Sequence, residues 1–371
     1  MIPYGKQHID QADIAAVVNV FKSDWLTQGP QVAAFERALA QAGDAKYAVV
    51  VSSGTAALHL AYRAIGLGHG DEAITTPNTF AATTNMLLAV EAKPIFGDIR
   101  LDTYNLDETK IEKLITPRTK VIVPVHFAGQ PCEMKTIQKI AKKYKIKVIE
   151  DACHALGATY DDKKVGGLSD LSVFSFHPVK AITTGGEGGA ILTNNQSYYE
   201  KMTHLRSHGI TKDKTGTNVM TDLGYNYRLN DLGAALGLSQ LKKLNQFIKQ
   251  RHQIAAWYEK QLKDTPEIIL PRELPGNYSG WHLYIIRTKK PADRDGLREH
   301  LKESGIGVNF HYPAVYRHPY YRAHGYRQTS LPKMEIYHHS AITIPCFPDL
   351  TAKEVKYVSD KIKEYFHGAK K

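Results

Sequence analysis

The residues able to do chemistry sit where apolar runs end. Lys180 follows the run Leu171–Phe176 and precedes the glycine-rich turn Gly185–Gly189. An amine fenced in by proline and glycine is poorly solvated, and desolvation favours its neutral form. A neutral amine condenses with an aldehyde to a Schiff base; the plainer alternative is a surface-loop lysine. Asp151 closes a second run, KVIED, where a buried carboxylate needs a partner. A pyridinium nitrogen would serve, as would a helix N-cap or a metal. His154 lies three residues on, within reach of the same cleft or simply structural. Ser175 ends the strand of Lys180 with a hydroxyl suited to a phosphate or phenolate oxygen. The turn Ser53, Gly54, Thr55, Ala56 opens a helix and offers N–H groups and a positive dipole end to a phosphate. A serine there is equally an N-cap. Phe80 follows Thr79 at a helix start, placed to stack on a planar ring or to fill a core. The loop Leu223–Asp231, with Asn226 and Arg228, has the polar and aromatic make-up of a binding or subunit-contact loop.

These residues need a scaffold that brings strand ends together. The first half of the chain alternates strands near 47–52, 72–76, 93–99, 119–125 and 145–151 with helices beginning near 55, 80, 106 and 134. That rhythm belongs to an α/β fold, a mostly parallel sheet with helices on both faces, whose ligands lie beyond the carboxyl ends of the strands. Before it, residues 10–23 have helical spacing, with Ile14, Val17, Val18 and Phe21 on one face, and a second helix runs to about Ala42. A long helix is expected over 231–263. Strands at 282–288, 305–312 and 341–347, with helices at 294–304 and 353–365, read as a smaller α+β domain. The expected division is 1–245 for the large domain and 246–371 for the small one, with the N-terminal segment packed on the small domain.

Composition narrows the function. The 371 residues carry a net charge of +11, but the basic residues are scattered and no nucleic-acid motif stands out. No apolar run approaches the roughly 20 residues of a membrane span and no signal peptide is recognisable, so a cytoplasmic protein is expected. The three cysteines have no metal-type spacing. Taken in order, a phosphate turn, a stacking aromatic, a strand-end Asp, a strand-end Ser and a Schiff-base Lys are the parts of a pyridoxal 5′-phosphate site.

The motifs SSGTAALHLA (52–61), TTPNTFAATTNM (75–86), PVHFAGQP (124–131), VIEDACHALGA (148–158), SVFSFHPVKAITTGGEGGAILT (172–193), RSHGI (206–210) and LGYNYRLNDLGAALGLSQL (223–241) resemble those of the DegT/DnrJ/EryC1/StrS sugar-nucleotide aminotransferases. NFHYPAVY (309–316) and HHSAITIPCFP (338–348) match more loosely. The resemblance implies the aspartate-aminotransferase superfold, fold type I. It also implies roles. Lys180 would carry the cofactor, Asp151 would pair with the pyridine nitrogen and His154 would lie at the phenolic edge. Phe80 would stack on the ring. Ser53, Gly54, Thr55, Ala56 and Ser175 would hold the phosphate. Asn226, with Arg228, would reach the phosphate in the other subunit of a homodimer. Gln28, His208, His311 and Tyr312 are candidates for the nucleotide sugar.

Within the family, SFHPVKAITT and SHGITKD resemble the pseudaminic-acid branch. That implies glutamate as donor, a UDP-4-keto-6-deoxy-N-acetyl hexose as acceptor, and pyridoxamine phosphate as the intermediate cofactor form. Amination of another nucleotide ketosugar at C3 or C4 is the alternative. A 3-dehydratase of the family would carry His in place of Lys180. An amino-acid aminotransferase would need an Arg such as Arg287, Arg317 or Arg322 for an α-carboxylate.

Overall fold

The computed structural model describes residues 1–327 and 329–368. Helix α1 (Gln11–Phe21) opens on a reciprocal cap, the Asp10 carboxylate accepting from Asp13 N–H and the Asp13 carboxylate from Asp10 N–H. Helix α2 (Pro30–Ala42) starts on proline, whose fixed φ suits a first helical turn. There follow β1 (Tyr47–Val51), α3 (Gly54–Ala64), β2 (Glu72–Thr75), α4 (Ala82–Ala89), β3 (Lys93–Phe96), β4 (Thr119–Val123), α5 (Met134–Tyr144) and β5 (Lys147–Asp151). A short ribbon, β6 (Thr159–Tyr160) and β7 (Lys163–Lys164), leads to β8 (Leu171–Ser175), β9 (Gly189–Thr193) and α6 (Gln196–Arg206). An exposed hairpin, β10 (Ile210–Lys212) and β11 (Asn218–Met220), precedes α7 (Asp231–Leu241) and α8 (Leu244–Leu262). The chain ends with β12 (Ile268–Ile269), β13 (Asn277–Tyr278), β14 (Tyr284–Thr288), α9 (Asp293–Glu303), α10 (Pro319–Tyr321), α11 (Pro332–His338), β15 (Ala341–Ile344) and α12 (Ala352–His367).

Seven strands form the main sheet in the order β1-β9-β8-β5-β4-β2-β3. Only β9 runs against its neighbours, antiparallel to both β1 and β8. Strands β1 and β8 therefore point the same way as β5, β4, β2 and β3, and their carboxyl ends share one edge. Both faces of this sheet are covered, which is why its strands read as continuous apolar runs. Ile149, Val173 and Val49 pack with α3 on one face, while Phe174, Val50 and Leu192 pack with Phe35 and Leu39 of α2 on the other.

The two-residue period of β5 separates its two carboxylates. Asp151 shares the face of Ile149, and Glu150 points the opposite way. Glu150 is fully buried and held by three donors: His126 Nε2 at 2.7 Å, Ser169 Oγ at 2.6 Å and Ser172 Oγ at 2.8 Å. His126 Nδ1 accepts from Cys132 N–H at 3.1 Å, so the Nε2 nitrogen carries the proton shared with Glu150.

A second, antiparallel sheet, β12-β14-β15, packs against α8, α9 and α12 through Ile254, Tyr258, Leu297, Val355 and Val358. The N-terminal segment lies on this unit: Ile2 N–H donates to Gly305 O at 2.9 Å, and Cys346 N–H to Tyr4 O at 3.1 Å. The boundary expected at residue 245 falls inside the first turn of α8. Leu244 and Ile248 pack with the first unit, and Ile254 onward with the second. Tyr316, Tyr321 and Tyr326 also return to the first unit, around Phe96.

Four expectations change. The helix over 106–114 is a 3₁₀ turn, Glu108–Leu114, opened by the Asp107 side chain. The helix over 231–263 breaks at Lys242 and Lys243, where Lys243 turns in to pair with Asp10 and Asp13. The strand over 305–312 is absent, because its backbone pairs one residue at a time with two partners, Ile306 with Ile2 and Asn309 with Thr343. The apolar stripe of α1 faces water: Ile14 is 47%, Val18 42% and Phe21 63% exposed.

Candidate active site

The edge where the strand ends meet gathers most of the chemically able side chains. Strand β8 ends at Ser175, and the chain then turns, Lys180 N–H donating to His177 O at 2.9 Å. The Lys180 amine lies 3.4 Å from His282 Nε2. Burial lowers the lysine pKa below its ordinary value, and the Cys153 thiol and the Asp151 carboxylate oppose that only in part. A lysine in this setting holds more of its amine in the neutral, nucleophilic form.

Asp151, at the end of β5, is 4% exposed. Its Oδ2 accepts from Thr83 Oγ1 at 2.6 Å and its Oδ1 from Cys153 N–H at 3.2 Å. Thr83 is one helical turn after Phe80, so the start of α4 both fixes the carboxylate and presents an aromatic ring. Among the described residues no lysine or arginine forms an ion pair with Asp151. A buried carboxylate with two neutral donors and no cation is an incomplete arrangement.

His154 accepts from Ala128 N–H at its Nδ1, 3.2 Å away, and its Nε2 faces Tyr312 Oη at 3.2 Å. Burial, with Lys180 and His311 adding, holds its pKa well below the usual histidine value. The neutral ring therefore carries its proton on Nε2. Tyr312 also lies 6.0 Å from Phe80, centroid to centroid. Phe80 is 63% exposed, so a face of its ring is open rather than lost in a core.

The turn after β1 is split in its duties. Ser53 caps α3, its hydroxyl accepting from Ala56 N–H at 3.1 Å, so those two groups serve the helix first. The N–H groups of Gly54 and Thr55 have no acceptor among the described residues. Gly54 is needed for space: a Cβ there would lie 2.9 Å from Ser175 Cβ. Gly189 is needed likewise, since a Cβ would lie 2.5 Å from Ser53 O. These close approaches set the Ser175 hydroxyl against the helix start.

The remaining candidates fall further out. His311 is 7% exposed and engaged on both ring nitrogens, by Thr343 Oγ1 at 2.9 Å and Asn309 Nδ2 at 3.4 Å. Gln28 and His208 are exposed, each at positive φ, and no contact among the described residues ties them to the Lys180 cluster. Asn226 is exposed and Arg228 half-buried on a loop bridged to Ser207 and Val51, and neither side chain has a hydrogen-bond partner among the described residues. Three members of the cluster were missed from sequence: Thr83, Cys153 and His282. Thr83 carried a signal in its one-turn spacing from Phe80; His282 carried none.

Comparison with known proteins follows the same outline. The profile of the DegT/DnrJ/EryC1/StrS aminotransferase family matches residues 7–363. A Campylobacter jejuni protein named UDP-4-amino-4,6-dideoxy-N-acetyl-beta-L-altrosamine transaminase is 40% identical over 376 residues, covering 100% of this chain and 99% of its own. Helicobacter pylori PseC, described as an aminotransferase involved in the biosynthesis of pseudoaminic acid, superposes with a TM-score of 0.95 at 37% identity, over 98% of this chain and 99% of that one. The PLP-form of a putative sugar aminotransferase from Streptococcus pneumoniae superposes with a TM-score of 0.94 at 29% identity, over 100% of both chains.

Proposed function

The chain belongs to the DegT/DnrJ/EryC1/StrS aminotransferase family, and from that premise we propose that it moves the amino group of L-glutamate to C4 of a UDP-4-keto-6-deoxy-N-acetyl hexose. The product would be UDP-4-amino-4,6-dideoxy-N-acetyl-β-L-altrosamine, as in the name of the Campylobacter relative, and the cofactor pyridoxal 5′-phosphate. The observation that carries the cofactor is a desolvated amine, Lys180, set in the same cleft as a buried carboxylate, Asp151, that has no ion-pair partner among the described residues. A protonated pyridine nitrogen completes that carboxylate, and the free N–H groups of Gly54 and Thr55 with the Ser175 hydroxyl suit a phosphate. Phe80 offers an uncovered ring face to stack on.

When bound, pyridoxal phosphate supplies an aldehyde for Lys180 and a ring that takes up the electron pair released at carbon. Asp151, held in direction by Thr83 and the Cys153 N–H, would pair with the ring nitrogen of the bound cofactor. His154 presents Nε2–H beside Tyr312 and would lie at the phenolic edge of the bound cofactor. Lys180 Nζ takes the proton from glutamate Cα in the first half-reaction and delivers a proton to C4 of the sugar in the second. Because 2-oxoglutarate would leave before the ketosugar binds, ping-pong kinetics are expected.

A second copy of the chain is part of the proposal. Phe21, Trp25, Leu26, Met220 and Leu223 are 63%, 56%, 50%, 70% and 65% exposed, an apolar surface a partner would cover. Asn226, whose side chain has no hydrogen-bond partner among the described residues, then serves the neighbouring site. No helix among the described residues is long and apolar enough to cross a membrane, and the reaction is proposed to run in the cytoplasm.

An amino-acid aminotransferase is the second reading, and two of the three arginines named for an α-carboxylate are engaged. Arg287 donates to Tyr104 Oη at 3.2 Å, and Arg317 pairs with Glu335. The deciding experiment converts the enzyme with glutamate and then offers a panel of UDP- and dTDP-linked 4-ketosugars beside 2-oxoacids. Return of the pyridoxal absorbance with a UDP-4-ketosugar is expected. Turnover with 2-oxoacids and with no ketosugar would move the assignment to the amino-acid class.

A further inference from the structure

Arg251 is the largest fully buried side chain, 1% exposed, and no carboxylate pairs with it among the described residues. Its Nη1 instead donates to three main-chain carbonyls, Trp281 O at 3.1 Å, His282 O at 3.2 Å and Cys346 O at 2.8 Å. Burying an uncompensated guanidinium to hold backbone is costly. The backbone it holds is itself unusual: Trp281 has φ +41°, the left-handed region a large side chain seldom adopts. Strain of this kind persists only where the surroundings enforce it, and two of the three gripped carbonyls flank the strained link. What this platform displays is the His282 ring, 5% exposed, with Nε2 3.4 Å from the Lys180 amine and its ring 4.5 Å from that of His154.

His282 Nδ1 is buried and has no hydrogen-bond partner among the described residues. A buried N–H without an acceptor is rarer and costlier than an empty lone pair. The proton of the neutral ring therefore sits on Nε2. An ammonium has no lone pair to accept with, whereas a neutral amine has one. We infer that His282 is a positioning residue for Lys180: its Nε2–H donates to the lysine and so selects the neutral amine whenever that amine is free, with Arg251 and Trp281 fixing the ring. The inference rests on Lys180 being the reactive amine.

The charges around the pair are consistent with this. Lys180 faces Asp151 and Cys153, which favour its ammonium form, and His282 is the donor set against them. His282 faces Lys180, His154, Arg251 and His311, and each disfavours an imidazolium there, on top of burial.

The test is competitive trace acetylation of the full-length, cofactor-free protein across pH, with the Lys180 peptide quantified by mass spectrometry. This reads the protonation of that one amine without any turnover. His282→Phe should raise the labelling midpoint by about one pH unit, leaving roughly tenfold less neutral amine at a given pH below it. His282→Gln, which keeps an N–H donor near the same place, should stay close to the native midpoint. An unmoved midpoint in His282→Phe overturns the inference. A lowered one overturns it too, since the ring would then have been accepting from the ammonium. Should His282→Phe not fold, His282→Asn, too short to reach, takes its place against His282→Gln. A native Lys180 that labels as an ordinary exposed lysine would instead sink the reactive-lysine reading itself.

Discussion

Replacing Thr83 by valine removes one oxygen and keeps the shape of the side chain. Thr83 Oγ1 lies 2.6 Å from Asp151 Oδ2, and the two residues are 1% and 4% exposed. It is braced in turn by Thr79 Oγ1 at 2.7 Å. A hydrogen bond to a charged group contributes about 1.5–3 kcal/mol net, and each ~1.4 kcal/mol of transition-state stabilisation is tenfold in rate. If the carboxylate must be held in one direction for the reaction, Thr83→Val should lower kcat/KM by about 10- to 100-fold. Thr83→Ser keeps the oxygen and should lose far less. The assay is the single-turnover half-reaction with glutamate, followed by the change in cofactor absorbance, alongside a cofactor-binding titration and a thermal melt. A valine variant with native single-turnover rate and native cofactor affinity would show that Asp151 does not depend on Thr83. Equal losses in the valine and serine variants would assign the effect to packing and not to the hydrogen bond.

Lys180→Ala should lose the visible absorbance of the lysine-bound cofactor together with turnover; a working variant would remove Lys180 from the chemistry. Mixing Lys180→Ala subunits with Asn226→Ala subunits should restore activity that neither has alone, because one site in each mixed dimer keeps both residues; a mixture that stays inactive after exchange refutes the shared site. Acid should destabilise the fold through the buried histidines. His311 is lowered from 6.5 to about 3, chiefly by burial, so below pH 6.5 the unfolded chain takes up a proton that the folded one refuses. This contribution to stability is fully present above pH 6.5 and is lost as pH falls toward 3. Thermal melts over that range should show a shallower decline in His311→Gln than in the native protein, and parallel slopes would refute the assignment.

Local pattern was enough to find part of this site and silent on the rest. Lys180, Asp151 and Ser175 were legible because each ends an apolar strand, and the topology of a parallel sheet sends such ends to one edge. Phe80 was legible by its place at a helix start. His282 was not, because its contact with Lys180 spans 102 residues and comes from the second unit. In HLYIIRT it looks like the polar first residue of an ordinary strand. Arg251 was hidden in the same way, on a helix whose lysines and glutamines suggest a solvated face. His311 reads from sequence as a ligand group beside a tyrosine, and pattern gave no sign that its ring would be bonded to Thr343 and Asn309. The stripe of α1 had the period of a core-facing helix, and period alone does not say which body covers the face.

The neighbouring carboxylates of β5 have a consequence for assembly. A slip of one residue in this strand would exchange Glu150 and Asp151, because side chains alternate across a sheet. The apolar pattern resists such a slip only weakly here, since Val148 and Ile149 are both buried and either face would accept either residue. The three donors around Glu150 do discriminate. Their cage is built for the longer side chain, and a shorter aspartate in it would leave His126, Ser169 and Ser172 reaching for an acceptor. This polar knot on the far face thus works as a proofreading device for the strand. A change such as Ser172→Ala, on the sheet face opposite Asp151, should reveal itself as a smaller fraction of competent molecules with unaltered kinetics in those that remain.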